Sequence, residues 1–351
     1  MRLAALVAAA PLAGTTSHRA ARAHNAFVLL GDGRIVKLDV SRGRVVARRS
    51  LGKTPRRLPD HGPMLTVDGS RVYALVPTQP QTLVVTDRAL HVKARFALPR
   101  DVRYRGVVRA RAATYAFGYR EGRVIDPVAG LRESDAVVTR VGTPSESWTV
   151  RHADGYGWWE WSGSASADGQ RLALSYHGVG TSGADILDLT REPLSPPCAS
   201  VSTGPFLGCS PEVHGAIAAY DEGWIATNGS AEDLLVLDAR GNVVRRIDSG
   251  FRNEHLMSLV VDSATRTAYS LATCFYGREG LRAVAIAAGT SRLVRRAPCG
   301  NDLALGPGQT LLAVESADNS PGASVVALSR SSGRILHRWR LPAYVVAVAG
   351  A

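Results

Sequence analysis

One pattern recurs along nearly the whole sequence: an apolar run, an Asp, a short turn rich in Gly and polar residues, and a second apolar run. The first copy runs from Ile35 to Asp39, turns through Gly43 and continues with Val45 and Val46. Short apolar runs bounded by turn residues predict β-strands, and no stretch shows sustained helical periodicity. Further copies of the run end at Asp87, Asp126, Asp188 and Asp238, and in later copies Ala287 and Ser329 stand in place of the Asp.

A second kind of hairpin lies between these copies. Asp68-Gly69 and Asp168-Gly169 each separate two runs of alternating residues, where Asp-Gly is a strong signal for a tight β-turn. Comparable hairpins occur at 217–225 and 303–312. Two hairpins make a four-stranded unit. These units recur roughly every 40 to 60 residues, and this spacing is typical of the blades of a β-propeller. The sequence therefore predicts an all-β fold of four-stranded antiparallel blades.

The segment from Val36 to Val46 resembles the repeats of secreted bacterial β-propellers of the YVTN, quinoprotein-like and WD40-like types. The resemblance extends over nearly the whole chain after its first 23 residues and implies a propeller fold. The Gly-His and Trp-Asp signatures of true WD40 repeats are absent from the sequence. The Trp that ends quinoprotein docking repeats is absent too, which argues against a bound quinone.

Counting the units predicts one propeller of seven blades. Six units fall near 63–99, 106–142, 159–200, 214–250, 255–299 and 302–341. The first unit, 26–51, has only three strands, and one strand at 344–349 is left over at the carboxyl end. Pairing this strand with the N-terminal unit completes the seventh blade and removes the exposed edges of an open array. Six or eight blades are the alternatives, because 143–162 could contain an additional strand.

The first 23 residues are typical of a secretory signal peptide. An apolar run from Leu3 to Leu12 follows Arg2, and Ala21-Arg22-Ala23 has the small-x-small pattern of a cleavage site. A run of about ten residues is too short to span a bilayer. The predicted boundaries are a signal peptide at 1–23 and a propeller domain at 24–351, in a secreted or periplasmic protein without a membrane span. An uncleaved, Ala-rich terminus is the alternative.

The four cysteines fit an oxidising compartment, because they are even in number and lack C-x-x-C or zinc-like spacing. Pairing Cys198 with Cys209 and Cys274 with Cys299 is one of three possible connectivities. Four buried free thiols are the alternative.

The net charge of +12 does not by itself indicate a nucleic-acid partner. Among 42 basic residues, Lys37, Lys53 and Lys93 are the only lysines, and such an excess of Arg is typical of a codon bias across a genome. Most Arg pairs fall on or after predicted outer strands, where they act as solvated edge residues. No specific nucleic-acid partner is therefore expected.

The propellers that the sequence resembles usually bind ligands at the mouth of the central channel, where the chain enters each blade's inner strand. The resemblance therefore implies candidate ligand residues just before each inner strand, and three of the nine His fall there beside acidic residues. Imidazoles with carboxylates suit a divalent metal or general acid–base chemistry, whereas the alternative is that they only cap strand ends. The candidates are His61, Glu212, His214, Glu254, His255 and Asp302, with His61, His214 and His255 as possible metal ligands and no other cofactor predicted.

Aromatic residues cluster in an irregular, Gly-rich segment before the third complete unit. Tyr156, Trp158, Trp159 and Trp161 lie within six positions. Aromatic rings on a loop suit sugar stacking or protein recognition, while rings that alternate on an inner strand also suit packing. The segment is therefore a second candidate recognition surface.

These observations favour a monomeric binding or protein-interaction module whose partner is a protein or a glycan. The alternative is a propeller enzyme of the lactonase, lyase or dehydrogenase kind that uses the His and Glu residues at the channel mouth. A third possibility is a structural component of the cell envelope.

Overall fold

The computed structural model describes residues 24–351 except 55–61, 127–130, 154–157, 179–180, 195–208, 211, 229–232, 251–255, 273–279, 297–299 and 316–323. Within these residues the regular structure consists of β-strands. The first fourteen are β1 (Asn25–Leu30), β2 (Arg34–Asp39), β3 (Arg44–Ser50), β4 (Leu65–Asp68), β5 (Arg71–Val76), β6 (Thr82–Asp87), β7 (Val92–Ala97), β8 (Arg103–Ala110), β9 (Ala113–Asp126), β10 (Leu131–Val141), β11 (Glu146–Ala153), β12 (Trp158–Ala165), β13 (Arg171–Gly178) and β14 (Thr181–Asp188). The others are β15 (Ile217–Tyr220), β16 (Gly223–Thr227), β17 (Asp233–Leu237), β18 (Val243–Asp248), β19 (Leu256–Asp262), β20 (Thr267–Ala272), β21 (Leu281–Ala285), β22 (Thr290–Arg295), β23 (Gly300–Leu305), β24 (Thr310–Glu315), β25 (Ser324–Ser329), β26 (Ile335–Arg340) and β27 (Val345–Gly350).

The strands form seven antiparallel sheets in a ring, so the predicted seven-bladed propeller is confirmed. Blade 1 is β4–β7, blade 2 is β8–β11, blade 3 begins with β12–β14, and blades 4, 5 and 6 are β15–β18, β19–β22 and β23–β26. Blade 7 has the order β27-β1-β2-β3. In blade 3 the fourth position is taken by Ser210, which exchanges two backbone hydrogen bonds with Ala184 of β14.

The ring closes as the sequence predicts, through the C-terminal strand. β27 pairs with β1 so that Phe27 lies opposite Ala349 and Val28 opposite Val348. Both strands are buried along almost their whole length. The closing strand therefore removes an open edge and buries an apolar segment in the same step.

The repeated Asp has a structural role in the turn between a blade's third and fourth strands. Asp39 accepts hydrogen bonds from the Ser41 hydroxyl and the Arg42 backbone N–H, and Asp188 accepts both the hydroxyl and the backbone N–H of Thr190. These bonds hold the pKa of both carboxyls below the ordinary value. The repeat is thus a turn that depends on an ionised Asp.

Middle strands are buried on both faces, whereas outer strands alternate between half-buried and exposed residues. β5 is buried from Val72 to Val76, while the outer strand β7 alternates along its length. Each described outer strand also carries one inserted residue that has no pairing partner, and such a β-bulge discourages pairing with other chains. These residues are Val46, Lys93, Val150, Val244, Val294 and Leu336.

Blade 2 differs from its prediction. The repeat pattern predicts Asp126 in the turn before a blade's fourth strand, but Asp126 ends the second strand, β9, which is 14 residues long. The segment at 143–162 does contain an additional strand, β11, which is the outer strand of blade 2 rather than part of an eighth blade. Among the described residues, no helix has the length and apolarity needed to cross a membrane.

Candidate functional site

The inner strands of the ring surround a central cavity of about 420 Å³. Its wall is composed mainly of small residues, because Gly163, Ala218, Ala304 and Ala349 occupy positions on four of these strands. At Gly163 a side chain would meet the Phe117 ring, because an added Cβ would lie 2.6 Å from it. The polar side chains of the described wall belong to Thr66, Ser162, Ser164, Ser258 and Asp302.

Polar side chains on one inner strand satisfy backbone groups on the next. Ser162 Oγ accepts a hydrogen bond of 3.2 Å from the Ile217 N–H, and Ser164 Oγ accepts one of 3.0 Å from the Ala219 N–H. An inner strand has a neighbour on one side only, so its other edge presents N–H and C=O groups that need partners. These serines connect β12 to β15 and hold the channel wall together.

Asp302 makes the equivalent connection between β23 and the closing strand β27. Its Oδ2 accepts a hydrogen bond of 2.7 Å from the Val348 N–H, and its Oδ1 accepts one of 2.9 Å from its neighbour Leu303. Burial raises the pKa of Asp302 to about 7, and these two hydrogen bonds only partly oppose that effect. Near neutral pH this carboxyl group therefore exists both as a hydrogen-bond donor and as an anion.

Asp302 is the only titratable side chain on the described part of the channel wall. A ligand with a hydrogen-bond donor or a positive charge would favour the ionised carboxylate, and a ligand with an acceptor would favour the protonated form. The prediction of Asp302 as a candidate residue rests on its position before an inner strand, and the structure places it in the channel.

Two other predicted residues lie elsewhere. Glu212 forms an ion pair with Arg246 of the outer strand β18. His214 Nε2 lies 2.8 Å from the Ser182 hydroxyl, and its ring is 5.9 Å from that of His177 in the preceding blade. Neither Glu212 nor His214 is among the described residues of the channel wall, although Gly215 and Ala216 are. The structure therefore does not bring these two side chains together with Asp302.

The remaining predicted residues are described only in part. His61, Tyr156, Glu254 and His255 lie outside the described residues, as do Cys198, Cys274 and Cys299. Trp158 and Trp159 belong to β12, but only their backbone is described. Cys209 is described, with its N–H donating to Asp185, and the proposed pairings stay predictions.

Trp161 is 4% exposed and packs into the core between blades 2 and 3. Its ring centroid is 6.2 Å from that of Phe117 and 5.8 Å from that of Tyr176. Trp161 also contributes to the channel wall. Its fluorescence should therefore respond to events in the channel, although its ring is not offered to solvent.

Within the described part of the chain, no three His, Cys, Asp or Glu side chains form a group suited to a metal ion. Two of the three possible metal ligands, His61 and His255, lie outside that part. The divalent metal therefore stays a prediction.

The two serines of the channel wall were not predicted from the sequence. Ser162 and Ser164 alternate with Trp161 and Gly163 on β12, and this small-polar alternation on an inner strand was the available signal. Their role depends on the register of β15 more than fifty residues later, which a local pattern does not reveal.

No protein-family model matches this sequence, and no curated protein matches it. Among solved structures, the chain is similar to apo AztD from Citrobacter koseri, with a TM-score of 0.55 and 11% identity over 93% of this chain and 98% of that chain. It is also similar to the WD40 domain of Pan2 from Neurospora crassa, with a TM-score of 0.54 and 10% identity over 82% of each chain. A third similar structure is the dihydro-heme d1 dehydrogenase NirN, with a TM-score of 0.53 and 14% identity over 96% of this chain and 77% of that chain. Identities this low show the β-propeller fold alone.

Proposed function

We propose that this β-propeller is a binding and interaction module that takes a small ligand with hydrogen-bond donors in its central channel. The observation that carries the proposal is Asp302, a carboxyl group with a pKa of about 7 on the wall of a cavity of about 420 Å³. A concave cavity on which a few polar side chains converge is typical of a small-molecule site. Perturbed pKa values in such a cavity also favour a functional role.

Primary amines and sugars are the two ligand chemistries that fit this wall. An ammonium group would pair with the Asp302 carboxylate, whereas sugar hydroxyls would donate to Asp302. The fit to sugars agrees with the protein or glycan partner that the sequence favours. Protein partners would contact the faces of the ring around the channel mouth, since loops on a rigid scaffold commonly carry recognition.

The enzyme alternative is favoured by the same pKa, because general acids and bases work best with a pKa near the operating pH. It requires a second titratable group beside Asp302. Among the described wall residues there is none, so binding is the simpler function for this site.

The test is a titration of the purified protein with n-propylamine, glucose, galactose and N-acetylglucosamine, followed by Trp fluorescence and by thermal unfolding. We expect at least one probe to change the fluorescence saturably and to raise the melting temperature. Asp302→Asn should abolish both effects. The matched control is Glu212→Gln, which makes the same chemical change on the surface and should leave both effects intact. Equal responses in Asp302→Asn and the unchanged protein, or no response to any probe, would refute a channel site.

A further inference from the structure

Blade 2 carries a two-stranded extension that the other described blades lack. β8 pairs with β9 only as far as Tyr119, and β11 pairs with β10 only from Ser134. Residues 120–126 of β9 therefore continue beyond β8, and residues 131–133 of β10 continue beyond β11. Within this extension Val124 lies opposite Arg132 and Asp126 opposite Leu131. We call these two segments the arm. Seven extended residues reach about 20 Å past the end of β8, on the face where the inner strands begin.

The arm exposes two large aliphatic side chains. Val124 is 39% exposed and Ile125 is 44% exposed. Ile125 follows Val124 directly and is the inserted residue of a bulge, so the two side chains do not follow the regular alternation of a strand. An isolated two-stranded ribbon is only marginally stable in water, and the described part of the arm has no further strand against which these aliphatic side chains could pack. Burial against another surface would stabilise both side chains.

The most exposed charged side chains of the arm and its base are arginines, whereas its acidic residues, Asp126 included, are half-buried. Arg123 is 80% exposed while its partner Glu133 is 26% exposed, and Arg103 is 63% exposed while its partner Glu121 is 31% exposed. The guanidinium groups thus stand outside the carboxylates that pair with them. Arg132, on the opposite strand, is exposed as well. A partner that approaches the arm meets arginine around two aliphatic side chains.

The irregular pairing of the arm indicates how a partner would bind it. Ile125 has no pairing partner, and the register shifts again between Arg132 and Ser134. Bulges of this kind discourage the addition of a further strand to the edge. Recognition would therefore depend on side chains, with the aliphatic residues as a central anchor and the arginines as a charged rim.

We propose that the arm is a docking element for a partner protein whose surface presents an apolar pocket with acidic residues around it. This inference rests on the proposed role of the chain as an interaction module, and it names the surface and the chemistry of the partner. A second copy of the chain is a poor partner, because two arms would bring their exposed arginines together.

The experiment selects peptides from a random dodecapeptide phage library on the immobilised full chain. We expect the enriched peptides to combine Asp or Glu with large apolar residues. By fluorescence polarisation, V124T/I125T should bind a selected peptide about tenfold or more weakly than the unchanged protein, because anchor residues carry most of the binding energy. Binding should also weaken with added salt. V244T/L336T is the matched control, since it replaces two exposed aliphatic residues on other blades and should bind normally.

Replacement by Thr keeps β-forming residues in the arm, so V124T/I125T should unfold at the same temperature as the unchanged protein. Neutral or basic selected peptides, or equal affinity of V124T/I125T, would overturn the proposal. A dimer detected by light scattering and lost in V124T/I125T would also overturn it. Asp302→Asn should bind the peptide normally. The ligand titration therefore tests the channel site, and peptide binding tests the arm independently of it.

Discussion

Replacing Asp302 by Asn should change how the stability of the ring depends on pH. In the unfolded chain this carboxyl titrates near 3.8, and in the folded protein near 7. As the pH rises between these values, the unfolded chain loses its proton and the folded protein retains it, so folding becomes less favourable. Each pKa unit corresponds to about 1.36 kcal/mol, which gives a loss of at most about 4 kcal/mol that is complete just above pH 7. The Asn side chain does not titrate and is spared this loss.

At pH 4 both side chains are neutral, and Asn lacks one of the two acceptor oxygens that meet the Val348 and Leu303 N–H groups. We therefore expect Asp302→Asn to be less stable than the unchanged protein by about 1 kcal/mol at pH 4. At pH 8 it should be more stable by up to about 3 kcal/mol, which is the titration effect less the lost hydrogen bond.

The assay is urea unfolding followed by Trp fluorescence at each pH from 4 to 8. The relevant quantity is the difference in unfolding free energy between the variant and the unchanged protein, because the other titrating groups contribute equally to both. Glu212→Gln is the control, since Glu212 is exposed in a surface ion pair, and its difference should stay flat. A flat difference for Asp302→Asn as well would show that Asp302 titrates normally, and would contradict a raised pKa at this position of the channel wall.

Two further predictions concern other parts of the chain. Arg151→Met should lower the unfolding free energy by about 3–5 kcal/mol in urea unfolding, because it leaves the buried Asp185 without its bidentate partner. Arg123→Met is the control at an exposed ion pair and should lower it by under about 1 kcal/mol. Equal losses in the two variants would contradict the prediction that burial makes the Arg151–Asp185 pair the more important one. Expressed with its first residues in a bacterium that has a periplasm, the protein should appear there with His24 as its first residue and without titratable thiols, as mass spectrometry after alkylation can measure. Retention in the cytoplasm with an intact terminus would contradict the signal peptide.

Short sequence patterns predicted those features of the fold that depend on residues close together in the sequence. Asp39 and Asp188 mark their turns in the sequence because each accepts hydrogen bonds from residues two or three positions later. The closing strand was predictable because an unpaired apolar run at each end of a repeat array has one evident partner. The arm was not predictable from the sequence. Val124, Ile125 and Asp126 have the same apolar-apolar-Asp pattern as the repeat, and their exposure depends on where β8 begins.

The candidate site was predicted less completely for the same reason. Asp302 could be proposed from its position in the repeat, but its pKa depends on the burial provided by the surrounding inner strands. Glu212 occupies a comparable position in blade 4, yet it pairs with Arg246 on an outer strand. The position of a residue in the repeat determines where its backbone lies. The residues packed around it determine which partner its side chain contacts.

Asp302 also couples the channel to the closure of the ring. Its carboxylate accepts a hydrogen bond from Val348, which belongs to the strand that joins the C-terminus to blade 7. A cation in the channel would stabilise the ionised carboxylate and so lower its pKa. By linkage, affinity for such a ligand rises as the pH increases toward and through 7, whereas affinity for a neutral ligand that needs the protonated acid falls over the same range. The pH dependence of binding would therefore distinguish amines from ligands that accept the carboxyl proton in a hydrogen bond.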